Sequence, residues 1–179
     1  MTTRKICTLS LVLGWAVAST LSHATDALEP TNGILSQAMH WNEQPYRVGV
    51  AEQCMNWTRE VLSAACGDKF KTLESQRPWD KHLLGDDDEL LPEHADSLAS
   101  EEFGTKITAI HELHAGDLVF LKNTYGNWAP GVITHVGIAL GDGQYIHRMT
   151  SNKGIVKIEP IDPQQFDAGL RLNPQLCEK

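Results

Sequence analysis

A cysteine at a predicted helix start is the first candidate for chemistry. Cys54 follows a turn-rich approach containing Pro45 and Gly49, and the apolar residues after it fall on one face of a helix: Met55, Trp57, Val61 and Leu62. Unpaired backbone N–H groups and the positive end of the helix dipole at such a position favour the thiolate, which is the nucleophilic form. Cys54 is therefore a candidate nucleophile.

Two histidines in the C-terminal half could supply the base. His135 opens one predicted strand and His147 lies on the next. A two-residue turn between the strands would put His147 on the wrong face, whereas a three-residue loop over 141–143 would put it opposite Gly137 and diagonal to His135. The Gly-Asp-Gly composition of this loop favours the second arrangement.

These residues predict a catalytic triad with Cys54 as nucleophile, His135 as base and His147 as the group that orients the base. A strand histidine taken alone is more often an ordinary polar residue, so the prediction depends on the combination. The small Gly137 and Ala139 beside His135 are expected to leave room for the Cys54 helix.

The sequence offers no comparable signal for a metal or a cofactor. His111 and His114 resemble a metal-binding pair, but they lack the four-residue spacing of a His-Glu-x-x-His motif. We expect neither a metal site nor a cofactor.

The first 24 residues have the pattern of an export signal. Arg4 and Lys5 precede an apolar run over 6–21, and small residues predict cleavage after Ala24, although an uncleaved membrane anchor is an alternative. One domain over 25–179 would then be periplasmic or secreted, without stable membrane insertion. Loss of the two basic residues makes the formal net charge of −8 still more negative, which argues against a nucleic-acid partner.

An exported domain would retain three cysteines, an odd number where disulfides form. The favoured pairing joins Cys66 to Cys177 and leaves Cys54 free. The competing pairing of Cys54 with Cys66 would abolish the nucleophile.

The remaining pattern predicts an α+β fold in which N-terminal helices pack on an antiparallel sheet. Helices are expected over 32–40 and from Cys54 to about residue 65, and strands over 117–122, 134–140, 144–150 and 154–160. The acidic stretch over 69–104 is interpreted as an insertion or a wall of the cleft. The alternative is a solvated surface loop without a role in chemistry.

Three motifs resemble the NlpC/P60 cysteine peptidases, a family of papain-like cell-wall hydrolases. The approach Gln-Pro-Tyr-Arg-Val-Gly over 44–49 is similar to the family's Pro-Tyr-x-x-Gly. The stretch Leu-His-Ala-Gly-Asp-Leu-Val-Phe over 113–120 resembles its Leu-x-x-Gly-Asp-Leu-Val-Phe signature. The third motif starts with His-Val-Gly-Ile at His135 and ends at His147.

The resemblance implies the same triad of Cys54, His135 and His147, and it implies that Tyr46 lies near the substrate or the oxyanion. It also implies hydrolysis of an amide bond in peptidoglycan stem peptides. The family usually has Asp-Cys-Ser-Gly around the nucleophile, whereas this chain has Gln53-Cys54-Met55-Asn56, and we expect the larger side chains to reshape the pocket.

Three alternatives stay open at this point. The same thiol could serve an acyltransferase or an amidase that cuts the glycan–peptide link, or the fold could be a non-catalytic binding or inhibitory module. Because the sequence shows no wall-binding module, targeting would come from the catalytic domain or from a protein partner.

Overall fold

The computed structural model describes residues 30–47, 53–74, 94–128, 130–149 and 154–178. The predicted export signal and most of the acidic stretch lie outside these residues. Within the described part of the chain, no helix has the length and apolarity that a membrane span requires.

Two helices form one layer of the fold. α1 comprises Pro30–His40 and starts two residues earlier than the sequence indicated. α2 comprises Cys54–Cys66 and begins at the predicted nucleophile. Its apolar face is fully buried, with Met55, Trp57, Val61 and Leu62 all at 0% exposure, and each such side chain stabilises the fold by about 2 kcal/mol.

The second layer is a six-stranded antiparallel sheet with the order β1-β6-β2-β3-β4-β5. Its strands are β1 (Gly104–Ile107), β2 (Leu118–Lys122), β3 (Ile133–Ala139), β4 (Gln144–Arg148), β5 (Val156–Pro160) and β6 (Phe166–Leu172). The predicted α+β class is confirmed, and the four predicted strands correspond to β2 to β5. The sequence pattern missed β1 and β6.

Apolar side chains cover both faces of the sheet. The larger cluster lies between the helices and one face, where Met55 and Trp57 pack with Val136, Ile138 and Ile146. A smaller cluster on the other face includes Val119 and Leu121 of β2 and Tyr145 of β4; its further members are Ile107, Leu113, Ala139 and Ile161. The central strands are therefore buried on both sides, and β3 is buried along its whole length.

Each described end of the acidic stretch contributes buried side chains to the core, unlike a solvated loop. Phe70 and Leu98 have no exposed surface. The buried Arg59 of α2 connects the two ends, because its guanidinium donates to the Phe70 carbonyl oxygen and to Ser97 Oγ. Both ends of this stretch are thus part of the core beside α2.

A disulfide joins Cys66, at the end of α2, to Cys177 near the C-terminus. This is the pairing that the sequence favoured. Cys54 is a free, buried cysteine, so the competing pairing of Cys54 with Cys66 is absent from the structure.

Candidate active site

The first turn of α2 brings the free thiol against β3. The Cys54 side chain is 8% exposed, and the backbone N–H groups of Val136 and Met55 donate to its sulfur. Val136 directly follows His135 in the chain. The helix start therefore lies beside the strand that carries the predicted base.

α2 does not occupy the space beside Gly137 and Ala139, where the sequence predicted it. It packs on the opposite face of β3, against Val136 and Ile138. The space at Gly137 is filled from β4, since a Cβ on this residue would lie 2.6 Å from Tyr145 Cδ2 and 3.0 Å from His147 Cβ. The glycine thus makes room for the second histidine.

The turn between β3 and β4 has the predicted three-residue geometry. Ile138 pairs with Ile146 and Ala139 pairs with Tyr145. This register places His147 diagonal to His135. The two flanking glycines, Gly141 and Gly143, have φ values of 94° and 81°, a region that favours glycine.

Both histidines are buried and bonded to each other. His135 is 2% exposed and His147 is 5% exposed. The distance from His135 Nε2 to His147 Nδ1 is 2.8 Å. His135 Nδ1 is buried and has no hydrogen-bond partner among the described residues.

The chain of polar side chains continues into β5. His147 Nε2 lies 3.2 Å from Glu159 Oε2, and the Glu159 side chain is 43% exposed. The sequence pattern did not indicate Glu159, because its contact with His147 depends on the register between β4 and β5. It also missed Tyr145, whose ring stacks on His147 with centroids 4.4 Å apart.

Burial sets the resting protonation of the site. Burial raises the pKa of the Cys54 thiol, while the Val136 and Met55 N–H groups and the Arg148 charge lower it by a smaller amount. Burial, followed by the charges of His147 and Arg148, lowers the pKa of His135 to about 3. Near neutral pH the resting thiol and imidazole are therefore both uncharged.

Tyr46 lies beneath the first turn of α2. It is 3% exposed, packs edge-on against Trp41 at 5.3 Å, and donates its hydroxyl proton to the Asn56 carbonyl oxygen over 3.2 Å. An oxyanion contact would require this hydrogen bond to break. A role for Tyr46 at the substrate stays a prediction.

Two other features of the sequence concern Met55 and a possible metal site. Met55 is fully buried in the core, and the expected effect of Met55 and Asn56 on the shape of the pocket stays a prediction. Among the described residues, no group of three or more His, Cys, Asp or Glu side chains is arranged to hold a metal ion.

A small cavity adjoins the histidines. It has a volume of about 170 Å³, and its lining includes His135, His147, Tyr145, Glu159 and Thr124. The β2–β3 loop lies nearby and carries two exposed aromatic residues, Tyr125 and Trp128. The Glu159 end of the site is partly exposed, whereas the thiol and both histidines are nearly enclosed.

Comparison with solved structures supports the fold. RipB from Mycobacterium tuberculosis, described as a peptidoglycan hydrolase, is 18% identical with a TM-score of 0.51, and the match covers 94% of this chain and 75% of that chain. NlpC1 from Trichomonas vaginalis is 18% identical with a TM-score of 0.52, and the match covers 83% of this chain and 45% of that chain. The NlpC/p60 domain of the peptidoglycan hydrolase SagA is 24% identical with a TM-score of 0.48, and the match covers 79% and 98% of the two chains.

The likeness to RipB and NlpC1 shows the papain-like architecture that the sequence predicted. This chain spans less than half the length of NlpC1. No curated protein matches the sequence. The NlpC/P60 family model matches residues 43–170, which include Cys54, His135, His147 and Glu159. Because this match covers more than half of the sequence, the chain belongs to the NlpC/P60 family.

Proposed function

We propose that this chain is an exported cysteine hydrolase that cleaves an amide bond in peptidoglycan stem peptides. The observation that carries the proposal is a free thiol at the α2 start that accepts from the Val136 N–H, one residue along β3 from His135, whose Nδ1 has no partner among the described residues. Family membership and the description of RipB as a peptidoglycan hydrolase support the substrate class.

The reaction would begin with attack of Cys54 Sγ on the carbonyl carbon of the scissile amide. The thiol proton moves to His135 Nδ1 as the S–C bond forms, because the resting thiol and imidazole are both neutral. The backbone N–H of Cys54, at the helix start, is a candidate donor to the oxyanion.

Three further proton transfers by His135 complete the turnover. The imidazolium gives its proton to the departing amine, which leaves a thioester on Cys54. His135 then removes a proton from water as the water oxygen attacks the thioester carbonyl, the C–S bond breaks to release the carboxylic acid product, and the imidazolium returns the proton to the Cys54 sulfur. His147, at 2.8 Å from His135, orients the base throughout.

A non-catalytic module is the second candidate, and the enclosure of the thiol favours it. Cys54 is 8% exposed, and burial raises its pKa. A substrate carbonyl must reach the sulfur, so a binding or inhibitory role would explain a site that stays closed.

Digestion of purified sacculi would separate the two candidates. We expect the protein to release stem-peptide fragments, identified by mass, and Cys54→Ala to release none. Ser63→Ala is a matched control because Ser63 lies on the same helix and its buried Oγ has no hydrogen-bond partner in the described structure. It should release fragments at the parent rate.

The fragments also decide between the related chemistries. A new carboxylate at the cut stem peptide indicates hydrolysis, a new amide indicates acyl transfer, and free glycan with an intact stem indicates an amidase. No release by the parent protein, together with a thiol that resists alkylation, would overturn the hydrolase proposal in favour of a non-catalytic module.

Export is the remaining part of the proposal. The apolar run after Arg4 and Lys5 supports a cleaved signal and a periplasmic or secreted protein. N-terminal sequencing of the protein recovered outside the cytoplasm should begin at Thr25, and recovery of the intact N-terminus would contradict cleavage.

A further inference from the structure

Three side chains from adjacent strands form one line of hydrogen bonds that ends at a carboxylate. His135 of β3 bonds His147 of β4 over 2.8 Å, and His147 bonds Glu159 of β5 over 3.2 Å. In the β4–β5 ladder Glu159 pairs with Tyr145 and His147 pairs with Lys157, which places Glu159 diagonal to His147 on the same face. The strands therefore hold the three side chains in sequence.

An ionised carboxylate accepts hydrogen bonds and donates none, and a neutral imidazole carries one N–H. His147 must then carry its proton on Nε2, where it faces Glu159, and its Nδ1 must accept. His135 consequently carries its proton on Nε2 and donates it to His147 Nδ1. His135 Nδ1 is left with a free lone pair.

We propose that Glu159 is a positioning residue that fixes the tautomers of both histidines and so keeps His135 Nδ1 able to accept the Cys54 proton. The proposal rests on the proposed function only in naming the Cys54 thiol as the proton source. The opposite pair of tautomers, with both histidines protonated on Nδ1, would form the same His135–His147 hydrogen bond with donor and acceptor exchanged. It would also place an N–H on His135 Nδ1, where no proton could be accepted.

The surroundings of His147 support this assignment. Tyr145 stacks on its ring with an interplanar angle of 13°, and the missing side chain of Gly137 gives both rings space. The ring plane that aims Nδ1 at His135 and Nε2 at Glu159 is thus fixed by packing. Burial lowers the pKa of His147 while Glu159 acts to raise it, which agrees with a neutral ring at rest.

Glu159 also faces the charge that develops during the reaction. When Sγ–H breaks and Nδ1–H forms, His135 becomes an imidazolium whose Nε2–H still donates to His147 Nδ1. The Glu159 carboxylate lies one ring further along, and because it is partly exposed its charge is partly screened. Fixing the tautomers is therefore its main contribution.

Replacement of Glu159 with residues of different hydrogen-bonding capacity tests the proposal. Glu159→Ala removes the acceptor, Glu159→Gln keeps an acceptor without charge, and Glu159→Lys offers donors only. Glu101→Ala is the matched control, since Glu101 is an exposed carboxylate in the turn before β1. Imidazole nitrogen chemical shifts measured by NMR report the tautomers, and the alkylation rate of Cys54 reports proton removal without any substrate.

We expect Nε2-protonated His135 and His147 in the parent protein, in Glu159→Gln and in Glu101→Ala. Glu159→Lys should move the protons to Nδ1 of both rings, and Glu159→Ala should give a mixture. Loss of a hydrogen bond to a charged group should slow Cys54 alkylation about tenfold in Glu159→Ala, and Glu159→Lys should be slower still. Glu159→Gln should recover most of the parent rate.

An Nδ1 proton on His135 in the parent, or unchanged tautomers in both Glu159→Ala and Glu159→Lys, would overturn the proposal. A purely structural role would lower the unfolding midpoint and leave the imidazole nitrogen shifts of the folded protein unchanged, which also contradicts it. If the tautomers respond as expected while no variant or parent digests sacculi, the positioning role stands and the proposed hydrolase function fails.

Discussion

Two buried polar clusters in this sheet differ in how completely their atoms are bonded. One cluster, here the Asp117 cluster, consists of Asp117, Arg171 and the backbone around residues 112–114. The other, the histidine chain, consists of His135, His147 and Glu159. The histidine chain connects three strands, and the Asp117 cluster connects β6 to the segment before β2. Both contain groups with almost no exposed surface.

The Asp117 cluster is closed. The carboxylate of Asp117 has no exposed surface and accepts from the His114 N–H at 2.7 Å and from Arg171 at 2.8 and 3.1 Å. Arg171 Nη2 also donates to the Glu112 carbonyl oxygen at 3.0 Å. Such complete pairing is what a stabilising buried charge requires.

The histidine chain is open at one end. His135 Nδ1 has no hydrogen-bond partner among the described residues, although His135 is only 2% exposed. A buried polar atom without a hydrogen-bond partner lowers the stability of the folded protein, so its presence needs an explanation. The comparison therefore separates a cluster that serves the fold from one whose unpaired atom is available for proton transfer.

The largest expected difference lies in catalysis. Replacing His135 with Gln removes the base, and we expect the rate of fragment release to fall by about a thousandfold, within the range for general-base catalysis. The urea midpoint at pH 7 should stay close to that of the parent. A lowered midpoint with a near-parent rate per folded molecule would assign His135 to the fold instead.

The Asp117 cluster should respond in the opposite way. Asp117→Asn turns one oxygen of a fully buried carboxylate into an NH₂ group that faces an N–H donor, and we expect the free energy of unfolding to fall by about 3 kcal/mol. Urea denaturation measures this loss, while alkylation of Cys54 in the remaining folded protein should keep the parent rate.

Asp68→Asn is the control for this substitution, because Asp68 pairs with Lys71 at the exposed surface and should change stability little. Equal losses of unfolding free energy in the two variants would mean that the buried Asp117 cluster stabilises the protein no more than an exposed ion pair does. A slower alkylation in Asp117→Asn would mean that the two clusters are not independent.

The same contrast explains how much of the structure the sequence could predict. The β3–β4 register followed from three adjacent residues, and the start of α2 followed from a local apolar pattern. These features are set by short-range chemistry, so the juxtaposition of the two histidines could be predicted from them.

Partners far apart in the chain could not be found in this way. Asp117 belongs to a motif that was recognised, but Arg171 is 54 residues away and lies on β6, which the pattern missed. Gly169 interrupts the apolar pattern of β6 because the Leu113 side chain packs there, 2.4 Å from where a Cβ would be. Glu159 is only 12 residues from His147, but the connection from β4 to β5 is longer than a three-residue turn, so the sequence pattern did not give the register that brings them together.

The smallest expected effect is the loss of stability in acid. It compares the histidine chain of the parent with the same chain lacking His135. Burial lowers the pKa of His135 from its ordinary 6.5 to about 3, so the unfolded chain binds the proton more tightly than the folded protein does. Stability is therefore present above the unfolded pKa and is lost as the pH falls from about 6.5 towards 3.

His135→Gln removes this titration. Between pH 6.5 and 5 we expect the parent to lose about 2 kcal/mol more unfolding free energy than the variant, at about 1.4 kcal/mol for each pH unit. Urea titrations of both proteins at the two pH values measure the difference. The carboxylates are the same in the two proteins, so their titration cancels in this difference. An equal loss in the two proteins would mean that His135 is protonated without cost in the folded state, and the open end of the histidine chain would then not be a buried neutral base.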